Sequence, residues 1–462
     1  MLLNAAHIAG IVVTLTLMAA VGIYAGCKVK SADDFSTGGR KASSTIVAGT
    51  IMGTLVGGAS TIGTAQLAFQ FGFSAWWFTL GAGIGCALLG LGLVRRLWES
   101  SVETVPQFLV KTYGSNIGPI SSIFTSLGIF VNVIAQVLAF SSLITALYPM
   151  SPVVAAAIGV LLVFAYVLFG GVWGTGLSGV VKLILLYVAM ISCGIAAFSL
   201  MGGLAGISMQ FSAYPWFSLF GRGIATDFAA GFSLIVGVLS TQTYIQAVLS
   251  GKSVRESRKG ALISAVMIPP VGIGGILVGL FMRANFPGTP SGEVLPSFVL
   301  NFLPPVLAGI VLATLLISVI GTWAGLTLGI STMLTKDIYI RFFRPQASSK
   351  ETLLTQRMLI ITLCFIALFF VSGNVGSLIL SWSFMSMGLR GCTILFPLLG
   401  AIFFSRWVTP KAGVTAALLG PLADFLWKVM YPSGLDPIYP GLLVSLVVLI
   451  VVSMLTKIDN YR

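Results

Sequence analysis

Long apolar runs alternate with short polar connectors along the whole chain. About twenty apolar residues are what a helix needs to cross hydrocarbon, and most of the runs reach that length. Read in order they predict about thirteen transmembrane helices, among them span 2 (Ser44–Gln70), span 3 (Ser74–Leu97), span 4 (Ile117–Tyr148), span 6 (Gly176–Met201), span 7 (Thr226–Val248), span 9 (Pro304–Tyr339) and span 11 (Ser377–Phe404). A membrane β-barrel would show short alternating segments instead. Span 2 departs from the plain pattern. Gly53, Gly57, Gly58 and Gly63 crowd beside Thr54, Ser60, Thr61 and Thr64, with Gln66 and Gln70 following. Glycine weakens a helix interior, and polar groups are costly in hydrocarbon. Such a run persists where it lines a wet cavity or packs tightly on protein. It is predicted to be a helix broken at mid-membrane, with close packing through small residues as the alternative. The stretch Val102–Tyr113 is too short to span. Thr104 suits a cap and Pro106 a first turn, so it is predicted to be a short helix lying on the inner surface.

Composition narrows the class. The chain is 57% hydrophobic and 8% charged, against about a quarter charged in a soluble domain. The fold class is therefore an all-α membrane protein, with the lipid bilayer as its surroundings. Its first apolar run is too long for a secretory signal core and lacks a basic leader. The net charge of +13 reports topology rather than nucleic-acid binding. With the N-terminus outside and the C-terminus cytoplasmic, most Lys and Arg fall on the inner side, and only Arg222, Arg283 and Lys428 fall outside. This places the chain in the cell membrane. Cys27, Cys86, Cys193, Cys364 and Cys392 have no metal spacing, and His7 is the single histidine. The usual zinc constellations are thus excluded. No cofactor and no obligate protein partner is expected.

Several polar side chains stand inside spans. Asn132 and Gln136 lie one turn apart on span 4 and therefore on one face; they either glue helices or touch substrate. A glycine-rich stretch, Gly170–Gly176, is predicted to be a tight inside turn between spans 5 and 6. Lys182 stands one to two turns beyond it. Its ammonium either snorkels to the interface or faces a cavity. Arg390 on span 11 either meets a planar carboxylate on a solute or caps carbonyls of a neighbouring broken helix.

Four segments taken together carry a family resemblance: FSTGGR after span 1, FGGVWGTGLSGVVK before span 6, the basic loop SGKSVRESRKG, and IGTWAGLTLGISTMLTKDIY at the end of span 9. With these, the chain resembles the sodium/solute symporter family over nearly its whole length. The resemblance implies a five-plus-five inverted repeat with discontinuous helices and alternating access around a mid-membrane site. The implied division is 1–43 as a leading helix and inner loop, 44–405 as the ten-helix core, and 406–462 as two trailing helices. It also implies a coupling sodium held by the carbonyls of Ala59 and Ile62, the carbonyl of Ser318, and side chains at Gly321 and Thr322. A wet pocket is expected where span 2 unwinds near Ala59 and faces Thr322. Substrate-facing positions carry over to Thr61, Gln66 and Gln242.

Two positions depart from the family pattern. Members usually place two adjacent hydroxyls at the span 9 site, and here Gly321 supplies none. Many members carry an acid where Gly179 stands, and here Lys182 follows instead. A sodium ion about 5 Å from an ammonium, at an effective dielectric of about 20, is repelled by about 3 kcal/mol. Lys182 is therefore expected either to supply the positive charge itself, coupling transport to protons through reversible protonation, or to snorkel away and leave sodium coupling intact. The expected partners are a small-molecule solute and a coupling cation, Na+ or H+. The sugar-binding members need polar groups near Gly85 and Leu88, which are apolar here. A carboxylate or amino acid is the expected solute of a secondary active symporter. A channel should show a repeated selectivity ring, and none is visible. A transporter-like sensor would carry an appended signalling domain. A membrane enzyme would need a histidine, paired-carboxylate or metal constellation that the spans lack.

Overall fold

The structure, a computed structural model, describes residues 3–26, 40–102, 104–374, 376–432 and 434–459. Cys27 and most of the FSTGGR signature lie outside the described residues. The elements in order are α1 (Ala5–Gly26), α2 (Ser44–Leu55), a π-helical turn (Ala59–Gly63) leading into α3 (Thr64–Phe71), and α4 (Trp77–Leu88). A second π-helical turn (Leu89–Leu93) leads into α5 (Val94–Glu99), followed by α6 (Val105–Tyr113), α7 (Ile117–Leu147), α8 (Pro152–Leu200) and α9 (Gly203–Gln210). Then come α10 (Ile224–Ser240), α11 (Gln242–Leu249), α12 (Val254–Asn285), α13 (Val294–Phe302), α14 (Pro305–Met333), α15 (Ser349–Ser372), α16 (Ile379–Phe403), α17 (Pro410–Met430) and α18 (Ile438–Asp459).

Among the described residues, nine helical segments are long and apolar enough to cross a membrane. A tenth forms if α10 and α11, bent by 46° at Thr241, count as one. Side chains on the outward faces are largely apolar, as at Leu161, Ile195, Val266 and Phe369. This is the expected dress of helices that meet lipid. Two helices are discontinuous, one in each half of the chain: α2 and α3 part at Val56–Gly58, and α10 and α11 at Thr241.

The turn expected at Gly170–Gly176 takes another form. Helical hydrogen bonding runs through α8 from Pro152 to Leu200. Gly159 nevertheless packs on Trp323, while Lys182 packs beside Gly321 and Thr322. Straight helix would hold those two positions about 35 Å apart. Both instead reach one turn of α14, so α8 does not run straight between them.

The short helix α6 forms as its sequence predicts. The Thr104 side chain accepts from Gln107 N, and proline sits in the first turn. Phe108, Leu109 and Tyr113 face inward, and the Tyr113 hydroxyl donates to Pro397 O at 2.8 Å. At the opposite end of the bundle, the aromatic segment after α9 covers α3 and α4. Phe73 N donates to Trp216 O at 2.8 Å, and Trp77 Nε1 donates to Leu219 O at 2.7 Å. The four described cysteines are buried and free.

Candidate functional site

The break in the first discontinuous helix is built from its glycines. Val56 is extended (φ −90°, ψ 93°), so the helix stops there and restarts as a π-turn. π-turns inside helices gather at functional sites. A side chain at Gly57 would sit 2.5 Å from Thr322 Oγ1, and one at Gly58 2.4 Å from the Ala139 methyl. Only glycine lets this backbone lie against α7 and α14 so closely.

Stopping a helix frees main-chain groups, and each must find a partner when buried. Gly58 N donates to Gln136 Oε1 at 3.0 Å. Gly57 O accepts from Thr61 Oγ1 at 3.0 Å, and Leu55 O accepts from Ser60 Oγ at 3.1 Å. Two further carbonyls, Gly53 and Val56, turn toward α14. Val56 O accepts from Ser318 Oγ at 3.0 Å, and Gly53 O lies 3.2 Å from the Thr322 hydroxyl.

Into this ring of oxygens comes an ammonium. Lys182 Nζ donates to Gly53 O at 2.7 Å, Ser318 O at 2.9 Å and Thr322 Oγ1 at 3.0 Å. An ammonium has three donors and no acceptor, and all three are used. Lys182 is 5% exposed. Its reach depends on a glycine contact: a side chain at Gly179 would meet Gly49 O at 2.4 Å. With no side chain there, α8 lies flush on α2 and the lysine arrives one turn later. A side chain on Gly321 would stand 3.7 Å from Nζ, in ordinary contact with it, so position 321 borders the ammonium but supplies no hydroxyl. The space beside the ammonium, bounded by Met52, Gly53, Val56, Leu183 and Leu186, has no room for a water molecule. Between α2 and Thr322, where a wet pocket is expected, stands the lysine head group.

Of the expected cation-site residues, Ser318, Gly321 and Thr322 thus converge with Lys182. The structure differs on α2: the carbonyls that face α14 are those of Gly53 and Val56, six residues before Ala59 and Ile62. Ala59 O instead accepts from Thr64 Oγ1 at 3.3 Å within its own turn, and Ile62 is buried in the core. Carbonyls are identical in every residue, so only the geometry of the break selects them. Of these oxygen donors, glycine at position 53 was the one sequence signal available.

The remaining expected residues lie elsewhere in the core. Thr61 bonds its own helix. Gln136 closes the break, while Asn132 Oδ1 one turn away accepts from Ser383 Oγ at 3.0 Å. Gln66 works at the α9 end of the bundle. Its Oε1 accepts from Ile379 N at 2.9 Å, the first amide of α16, and its Nε2 donates to Ser291 Oγ at 3.3 Å. Gln242 acts at the opposite end, where its Oε1 accepts from Val105 N at 2.8 Å, the first amide of α6. First-turn amides have no partner within a helix, so each glutamine closes a helix start across the bundle.

Arg390 is fully buried. Its Nη1 donates to Thr241 Oγ1 at 2.7 Å, at the second break. Its Nε donates to Ser386 O at 3.0 Å and its Nη2 to Ser386 Oγ at 2.8 Å. A side chain on Gly128 would lie 2.6 Å from its Cγ, so α7 presses against the stem. The guanidinium ties α16 to the bend between α10 and α11 through hydroxyl, carbonyl and thioether groups of the protein.

The chain is similar to known transporters along its length. The profile of the sodium:solute symporter family matches residues 35–420. The osmoregulated proline transporter OpuE of Bacillus subtilis (strain 168) is 24% identical over 462 aligned residues, covering 95% of this chain and 93% of its own. The sodium/proline symporter of Escherichia coli (strain K12) is 23% identical, covering 95% and 91%. A solved Na+-coupled sialic acid symporter, substrate-bound and outward-open, superposes with a TM-score of 0.81 over 98% of both chains at 18% identity, a likeness of fold. These proteins are transporters, not enzymes. A profile match that takes in the broken helix, the lysine and the hydroxyls of α14 settles the kinship: the chain belongs to the sodium:solute symporter family.

Proposed function

We propose that this protein is a secondary active symporter of the cell membrane in which a proton carried on Lys182 replaces a bound sodium ion. One observation carries the reading: the Lys182 ammonium takes up Gly53 O, Ser318 O and Thr322 Oγ1 together. A bare cation needs oxygens, and a charge already stands among these. Protonated, Lys182 pins α2 to α14. Deprotonated, it loses the charge that these dipoles stabilise, and the two helices are free to part. The basic end of the bundle, where Arg95, Arg96 and Lys259 lie, faces the cytoplasm. The solute is a small carboxylate or amino acid; the proline transporters among the relatives support that choice. Gln136, at the break and beside Thr322, is the side chain best placed to meet it.

Uptake into proteoliposomes under separately imposed sodium and pH gradients tests the reading. A proton gradient should drive accumulation without sodium, and Lys182→Ala should abolish that drive. Sodium-driven uptake untouched by Lys182→Ala would end it. The second reading, sodium coupling with Lys182 withdrawn, is favoured by the sodium/proline symporters among the relatives.

A further inference from the structure

The basic loop SGKSVRESRKG leads into α12, and neither the coupling site nor the two breaks use its cations. Arg255, Arg258 and Lys259 lie in the first two turns of α12, all exposed. Among the described residues, no ion pair or hydrogen bond ends on any of their charged groups. The one acid among them, Glu256, turns the other way: its carboxylate accepts from Ser44 N at 2.7 Å. Arg255, Lys259, Leu262 and Val266 follow one another at helical spacing, so one stripe begins in two cations and continues apolar.

Below Arg255 the same helix face lines an open, shallow hollow of about 440 Å³, bounded by Lys259, Leu262, Ile263, Val266 and Met267. From Lys259 to Met267 the helix rises about 12 Å into the apolar zone. On one flank, Gly90 packs against Ala261 and Leu262, while Gly92 has nothing within 4 Å of where a side chain would begin. On the other flank, the Tyr187 hydroxyl donates to Met267 O. The groove is therefore greasy along its length, with the cations of Arg255 and Lys259 at its basic end.

We infer that this groove is a binding site for one anionic phospholipid of the leaflet at the basic end, its phosphate on Arg255 and Lys259 and an acyl chain along Leu262, Ile263 and Val266. Basic residues just outside hydrocarbon are the usual partners of anionic head groups. The site bears on the transport core. A side chain at Gly260, on the reverse face of α12, would meet Val47 at 2.6 Å, and Glu256 holds the first turn of α2. A lipid seated on α12 therefore steadies the helix against which the broken helix rests. The inference stands independently of which ion drives transport.

The test uses purified full-length protein in nanodiscs of phosphatidylcholine with or without phosphatidylglycerol, read by thermal unfolding and by native mass spectrometry of retained lipid. Phosphatidylglycerol should raise the unfolding midpoint and remain bound. Arg255→Glu with Lys259→Glu should weaken retention by about thirtyfold or more, since each basic side chain contributes about fivefold. Val266→Trp, which fills the groove without touching charge, should also abolish the difference, while Lys411→Glu on α17 should leave it unchanged. Each variant's midpoint in pure phosphatidylcholine reports whether it still folds. The inference is overturned if phosphatidylglycerol and phosphatidylcholine behave alike, if Val266→Trp retains the lipid as the native chain does, or if glycerol phosphate without chains gives the same stabilisation.

Discussion

At the scale of single residues, the proposed coupling site would exchange one cation for another, with the Lys182 ammonium among oxygens of α2 and α14. Where the family resemblance implies an acid on the α8 segment and two hydroxyls on α14, this chain has Gly179, Gly321 and Lys182. The three changes fit together physically. Gly179 lets α8 approach α2, since any side chain would collide with Gly49 O at 2.4 Å. Gly321 borders the ammonium without offering a hydroxyl, and Lys182 brings the charge. Reversing the exchange is the sharpest test. Lys182→Ala with Gly321→Ser returns a second hydroxyl and removes the resident cation, so that variant should acquire sodium binding. Sodium at a hundred times its dissociation constant would add about 2.7 kcal/mol of stability, readable as a sodium-dependent rise in unfolding midpoint absent from the native chain. No response to sodium would show that the oxygens are arranged for an ammonium only. Gly179→Ala should lower the midpoint, because overpacking a tight interface costs about 1–3 kcal/mol. An unchanged midpoint would mean that α8 can move aside freely.

At the scale of elements, the break between α2 and α3 is held open by a neighbour. Gln136 on α7 gives Gly58 N its acceptor. Gln136→Leu should leave a buried amide unsatisfied at a cost of about 1–3 kcal/mol and depress the midpoint; Gln136→Glu, which keeps an oxygen, should do so less. A midpoint indifferent to Gln136→Leu would mean that the break does not need the amide. The same element shows what sequence could and could not disclose. Crowded glycines located the discontinuity, because glycine in a helix interior signals close approach or a stop. They did not give its register: the expected carbonyls, Ala59 and Ile62, have the spacing of Gly53 and Val56 moved on by six residues. A main-chain oxygen has no side-chain signature, so nothing anchored the count. Conversely, Gly170–Gly176 suggested a turn, whereas α8 keeps its helical hydrogen bonds through that stretch. The glycine penalty of about 1 kcal/mol per residue is a bias that tertiary contacts at Gly159 and Lys182 override. Gln66 and Gln242 were recognisable as polar groups that a span must justify. Their use as caps for helices far away in sequence depends on long-range packing, which no local pattern encodes.

At the scale of the whole molecule, two polar clasps hold opposite ends. At the α9 end, Gln66 joins α3 to the first amide of α16 and to Ser291. At the basic end, Gln242 joins α11 to the first amide of α6, and Asp337 accepts from Ser122 Oγ at 3.0 Å, tying the end of the α14 segment to α7. Both clasps are engaged in this conformation, and the Lys182 ammonium ties α2 to α14. Alternating access requires that one clasp release while the other holds. Removing a clasp should therefore bias the molecule toward opening at that end alone. Gln66→Ala should raise the rate at which a thiol reagent modifies Ser291→Cys and leave Ser122→Cys protected, while Gln242→Ala should do the reverse. The four described native cysteines are buried, and the labelling is done in a Cys27→Ser background. If the clasps act through Lys182, its replacement by alanine should raise labelling at both positions, because α2 and α14 are then no longer pinned together at the centre. Equal protection in all three variants would show that these glutamines only stitch helices and that the gates lie elsewhere.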